Sequence, residues 1–117
     1  MIKMIYNLNE ITLDIDVKYR SKKAKEKIKE VKDAFKYIPN VKIFKRKSSN
    51  GNLHILIIMD SATLEEHFFI RLYFGDDIKR IQNDIKRFDK GLPFNRLWDY
   101  KFEQGKYKKA GKWIRIK

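Results

Sequence analysis

Asp14 and Asp16 sit two residues apart in the run Ile11-Thr12-Leu13-Asp14-Ile15-Asp16-Val17-Lys18, where apolar and polar residues alternate. That period predicts a half-buried β-strand with Ile11, Leu13, Ile15 and Val17 on one face and Thr12, Asp14, Asp16 and Lys18 on the other. Carboxylates at i and i+2 share a face with their Cα atoms about 6.6 Å apart, so both can reach one metal ion or a closely spaced pair. Two acids alone are better explained as the wet side of the strand. His54 adds to them: in Leu53 to Met59 it alternates with the wholly apolar set Leu53, Ile55, Ile57 and Met59, which should face the core. Asp99 likewise alternates away from Trp98 and Tyr100. A lone strand histidine or surface acid is ordinary, whereas three acids and a histidine drawn to one surface from three parts of the chain would constitute a site.

The elements that must position these groups follow from pattern and punctuation. Asn7-Leu8-Asn9-Glu10 reads as a turn or bulge into the carboxylate strand. Ser21 is an N-cap for a helix carrying Ala24, Ile28, Val31, Phe35 and Ile38 on its buried face, ended by Pro39. Its other face is almost wholly Lys and Glu. Val41 to Lys47 is extended, Ser48-Ser49-Asn50-Gly51-Asn52 is a hairpin turn, and Leu53 to Met59 is the strongest β-former in the chain. Thr63 with Glu66 makes a capping box for a helix through about Tyr73, stopped by Gly75. Asp76 and Asp77 open another, with Ile78, Ile81, Ile85 and Phe88 inward and Gly91 and Pro93 beyond its end. Two short strands are expected near Trp98 to Phe102 and Trp113 to Ile116. This order predicts an α+β fold of the ferredoxin-like or RRM-like type (β-α-β-β-α-β), an antiparallel sheet with helices on one face, spanning 1–117 as a single domain. The first and third strands lie together at the centre, the fourth flanks the first, and the open face is the one nucleic-acid-binding members of this architecture use.

Of 117 residues, 28 are Lys or Arg and 15 Asp or Glu, a formal charge of +13, while 43% are hydrophobic. The chain therefore reads as a folded domain suited to polyanions, nucleic acid above all. The absence of cysteine excludes disulfides, cysteine-ligated zinc and thiol catalysis. No apolar run is long enough to span a bilayer and no secretory leader is visible, so no membrane role and a cytoplasmic (intracellular) location are expected. Arg46 on the second strand and Lys101, Lys106, Lys108 and Lys109 near the end are the expected phosphate contacts. His67, on a helix beneath the sheet, is expected to stand outside the site.

The run Ile-Thr-Leu-Asp-Ile-Asp at 11–16 resembles the hydrophobic-Asp-hydrophobic-Asp motif of the archaeo-eukaryotic primase superfamily. Asn52-Leu53-His54, after a Ser- and Gly-bearing turn, is similar to the family's second motif, and Leu97-Trp98-Asp99 to its third. The resemblance implies a primase-polymerase-like core performing metal-dependent nucleotidyl transfer in DNA replication. Asp14, Asp16 and Asp99 would be catalytic and hold Mg²⁺ or Mn²⁺, while His54, Ser49 and Asn52 would meet the incoming nucleoside triphosphate. Hard oxygen ligands suit those ions, which neutralise a triphosphate and align the attacking hydroxyl. Asn52 stands where the family usually has Ser, and the family's additional subdomain and zinc cysteines are lacking. A minimal core of this kind points to a partner subunit or homo-oligomer.

Two other functions fit the same fold. A non-enzymatic single-stranded nucleic-acid-binding module would place stacking aromatics on the open face, with Phe44 as a candidate, but the central acids would repel phosphate unless a metal were bound. A nicking replication initiator would use Tyr19, followed by Lys23; the His-x-His pair usual in such enzymes is missing, since His54 is followed by Ile55 and Leu56.

Overall fold

The computed structural model describes residues 8–97, 100–103 and 105–117. Strand β1, Glu10–Lys18, turns Ile11, Leu13 and Ile15 into the core. Helix α1, Lys22–Ala34, starts where the Ser21 hydroxyl accepts the Ala24 amide at 3.1 Å. It ends before Pro39: the amide of Phe35 already closes on Val31, and Ile38, expected inward, is 43% exposed. Strands β2, Lys42–Lys47, and β3, Asn52–Ile58, form the expected hairpin, with Gly51 at φ +85° supplying the left-handed turn position. Helix α2, Leu64–Tyr73, carries the complete Thr63–Glu66 capping box, and α3, Ile78–Asp89, is capped by Asp77.

These elements build an α+β fold of the small ferredoxin-like type, with an antiparallel four-stranded sheet. β1 and β3 lie side by side, as expected, but among the described residues β1 is at the edge of the sheet rather than at its centre: the order is β1-β3-β2-β6, where β6 is Ile114–Arg115. Leu53, Ile55 and Ile57 meet Ala24, Val31, Phe35 and Phe74 in one apolar cluster, so α1 and α2 cover the face opposite His54. The fourth strand corrects the sequence expectation. Residues 100–103 (β4) pair with 106–109 (β5) as a separate hairpin, and β6 joins the sheet at β2 rather than β1.

Among the described residues no strand pairs with the outer edge of β1; side chains take its place. The Thr12 amide donates to Asn95 Oδ1 at 2.9 Å, and the Asn95 side-chain amide donates to the Glu10 carbonyl. The Asp14 amide donates to Asp76 Oδ1 at 2.8 Å, and the Arg80 guanidinium donates to the Thr12 carbonyl at 3.2 Å. Asn95 can do this because it holds φ +62°, a region asparagine tolerates better than most residues. α3 packs on α2 beside this edge, which explains why its buried face departs from the sequence pattern. Ile78 and Ile85 are 62% and 42% exposed, while Ile81 and Asp84 are buried. The inward stripe is partly polar because it faces ionic partners rather than the core.

Those partners form a buried network. Arg71, fully buried on α2, donates Nε to Asp76 Oδ2 at 2.7 Å and a terminal nitrogen to Asp84 Oδ2 at 2.8 Å. Asp76 also receives Arg80 at 2.7 Å, and Asp84 receives the Asn95 amide at 3.0 Å. Two guanidinium groups thus balance two carboxylates. Removing one member leaves buried charge unmatched, so Arg71→Met is expected to lower the unfolding free energy by roughly 3–5 kcal/mol in urea titration. Phe69→Ala on the exposed side of the same helix should shift it far less.

His67, also fully buried, donates Nδ1–H to the Leu8 carbonyl at 2.8 Å and sits edge-on to Phe68 and Phe94. Burial, above all, lowers its pKa to about 4, and the Arg71 guanidinium facing Nε2 at 3.5 Å acts in the same direction. The unfolded chain therefore takes up this proton first, near 6.5, and the folded chain only near 4. The stability due to neutral His67 is complete above pH 6.5 and is lost as pH falls from there to 4, a change of about 3 kcal/mol. Urea midpoints across that window should show the decline, and His67→Asn should flatten it while lowering stability at pH 7.

Candidate functional site

The site begins as a row across the open face of the sheet. Register sets Asp14 of β1 opposite His54 of β3, and His54 opposite Arg46 of β2. Arg46 donates Nε–H to His54 Nδ1 at 3.0 Å, so that nitrogen carries no proton; the other, Nε2–H, points toward Asp14 Oδ1 at 3.5 Å. The indole of Trp113 covers the Arg46 guanidinium at 4.4 Å and lies 6.4 Å from the His54 ring. Arg46 and His54 are thereby buried, at 3% and 5% exposure. Burial is the largest single influence on the Asp14 carboxyl and pushes its pKa up. His54, through its hydrogen bond and field, and then Arg80 together outweigh burial and hold the pKa below its ordinary value.

Beside the row lies a cleft of about 690 Å³ between the sheet and α3. Asp14, His54, Ser49 and Asn52 border it on the sheet side, and Lys79, Arg80, Asn83 and Arg87 on the helix side, with Arg96 from the segment after it. Ser48 shapes the sheet-side wall: its buried hydroxyl accepts the amides of Asn50 at 3.3 Å and Asn52 at 2.9 Å, presenting Ser49 and Asn52. A smaller recess of about 450 Å³ is bordered by Asp14, Asp16, Asn52, Gly75 and Asp77. Acids thus gather in the recess by the start of α3, while Lys79 and Arg87 are exposed along the helix face that borders the cleft.

The expected site residues fall into groups. Asp14, His54, Ser49 and Asn52 converge on the cleft; Asp16 is exposed at its acidic end, with the Asn52 side-chain amide 3.4 Å from its Oδ1. Asp99 lies outside the described residues, as does Trp98. Arg46 is an internal member of the row rather than a surface cation. Lys106, Lys108 and Lys109 are exposed on β5 and do not border the cleft, and Lys101 pairs in register with Lys108. Tyr19 packs half-buried against the core with Lys45 over its ring at 5.4 Å, away from His54. Phe44 is half-buried on the open face. Sequence reasoning missed Lys79, Arg80, Arg87 and Arg96; the i, i+4, i+8 spacing of Lys79, Asn83 and Arg87 was the available signal.

Among the described residues no three His, Asp or Glu side chains gather as a metal-binding group. What the acidic end offers is two carboxylates on one strand face, a donor set that suits Mg²⁺ when water and phosphate oxygens supply the remaining positions. No helix among the described residues is long and apolar enough to cross a membrane. Comparison of the chain with protein-family models, curated proteins and solved structures finds no match.

Because burial is the strongest influence on Asp14 and His54 the next, His54→Leu should raise the Asp14 pKa. Carboxyl-carbon NMR titration would read it: a midpoint below the ordinary 3.8 in the natural protein and a higher one in the variant. An unmoved midpoint would mean that His54 does not govern this carboxylate. The same substitution removes the acceptor from the buried Arg46 Nε and should cost about 1–3 kcal/mol of stability.

Proposed function

We propose that the chain is a primase-polymerase-like domain that binds nucleotides and nucleic acid in the cleft between the open sheet face and α3. The observation that carries this reading is that carboxylates and cations meet in one place: Asp14, Asp16 and Asp77 border the recess by the start of α3, and Lys79, Arg87 and Arg96 border the adjoining cleft together with Asp14 and Asp77. A nucleoside triphosphate needs both kinds of group: cations for its phosphates, and carboxylates to hold the divalent ion that accompanies them. Asp14 and Asp16 would hold Mg²⁺ or Mn²⁺, whose chemistry in nucleotidyl transfer is to neutralise the triphosphate and align the attacking hydroxyl. Ser49 and Asn52 are positioned to hydrogen-bond a ligand on the facing wall. His54 acts differently from a direct phosphate contact: with Nδ1 accepting from Arg46 and Nε2–H turned to Asp14, it orients the carboxylate.

That same engagement of both imidazole nitrogens favours a second reading, a nucleic-acid-binding module without chemistry. Divalent dependence separates the two. Under the first reading the natural protein binds triphosphate more tightly with Mn²⁺ than with chelator, and the Asp14→Asn/Asp16→Asn variant loses that increment. Metal-free binding of nucleic acid by the same variant should be unchanged or stronger, since two negative charges are gone. Equal triphosphate affinity with and without metal in the natural protein would remove the metal site and leave the binding module.

A further inference from the structure

Resting on that reading, the geometry points to a separate track for a single strand of nucleic acid along the face of α3 that borders the cleft, held through its phosphates by Lys79 and Arg87. Lys79, Asn83 and Arg87 recur every fourth residue, so they form one row on the helix surface facing the cleft. Each step advances about 6 Å along the axis, and the row spans about 12 Å. This repeat is comparable to the separation of successive phosphates on an extended strand. All three residues are exposed, so the row is accessible without rearrangement.

The chemistry of the walls chooses among anionic ligands. What α3 presents to the cleft is cationic and amide groups suited to phosphodiester oxygens rather than aromatic faces on which bases would stack. The facing wall of Ser49, Asn50 and Asn52 offers neutral donors and acceptors suited to sugar and backbone oxygens. A ligand held this way is bound by its backbone and with little regard to sequence. The acids set its extent: Asp16 and Asp77 repel an unmetallated phosphate at the start of α3, so the strand extends from Lys79 toward Arg87.

The test is fluorescence anisotropy of a labelled oligo-dT across a range of salt concentrations, in chelator. It uses the natural protein, the Lys79→Ala/Arg87→Ala variant, and a Lys25→Ala/Lys29→Ala control that removes the same charge from exposed positions on α1. Two lost phosphate contacts should make the slope of log affinity against log salt shallower by about 1.4 in the α3 variant. The control should keep the natural slope, and oligo-dA should bind as oligo-dT does. An unchanged slope in the α3 variant, or an equal change in the α1 control, would overturn the track. Because the assay contains no divalent ion, its result is independent of whether Asp14 and Asp16 support metal-dependent triphosphate binding.

Discussion

An edge strand that runs past buried groups cannot leave its amides and carbonyls unmatched, and the outer edge of β1 is where this molecule meets that constraint. Asn95, Asp76 and Arg80 supply the donors and acceptors that a neighbouring strand would have supplied. Those side chains are themselves fixed, because Arg71 and Asp84 bind the groups that reach the strand. The sheet, α2, α3 and the segment after α3 thus form one hydrogen-bonded unit. An ion network of this kind is a modest source of net stability, since desolvation offsets most of its attraction, but it allows few alternative arrangements. Its functional consequence is local. The bond from the Asp14 amide to Asp76 sets β1 against the start of α3, and the cleft is the space left between them.

The sequence made legible the parts of the fold that local chemistry decides. Ser21, the Thr63–Glu66 box and the Ser48–Asn52 turn each stabilise one boundary through groups a few residues apart, and each is found where the pattern puts it. Alternation was equally informative for His54, because Leu53, Ile55 and Ile57 have only one apolar layer to enter. The failures share a cause. Period shows which residues share a helix face but not what that face will meet; Ile78 and Ile85 are exposed because α3 turns Ile81 and Asp84 inward. Arg71, Asp76 and Asp84 form no repeating row, and charged residues are ordinarily at the surface, so nothing local announced their network. Arg46 looked like a surface cation for the same reason. Its burial depends on Trp113, which reaches it only through the pairing of β6 with β2.

The cleft acquires its character from the contrast between this internalised charge and the charge left at the surface. In the row of Asp14, His54 and Arg46, one carboxylate and one guanidinium lie on either side of the imidazole, so most of the row's field closes on itself. The field felt by an approaching ligand comes instead from groups the row does not neutralise: Lys79 and Arg87 on α3, and Asp16 and Asp77 near its start. Under the proposed reading a polyanion would be drawn along the helix and repelled where the acids gather, which would give the cleft a direction as well as an affinity. A divalent cation at the repelling end would reverse the sign there and let a second anionic group sit beside the first. Two anionic ligands brought end to end is the arrangement that the proposed joining of a nucleotide to a strand would require.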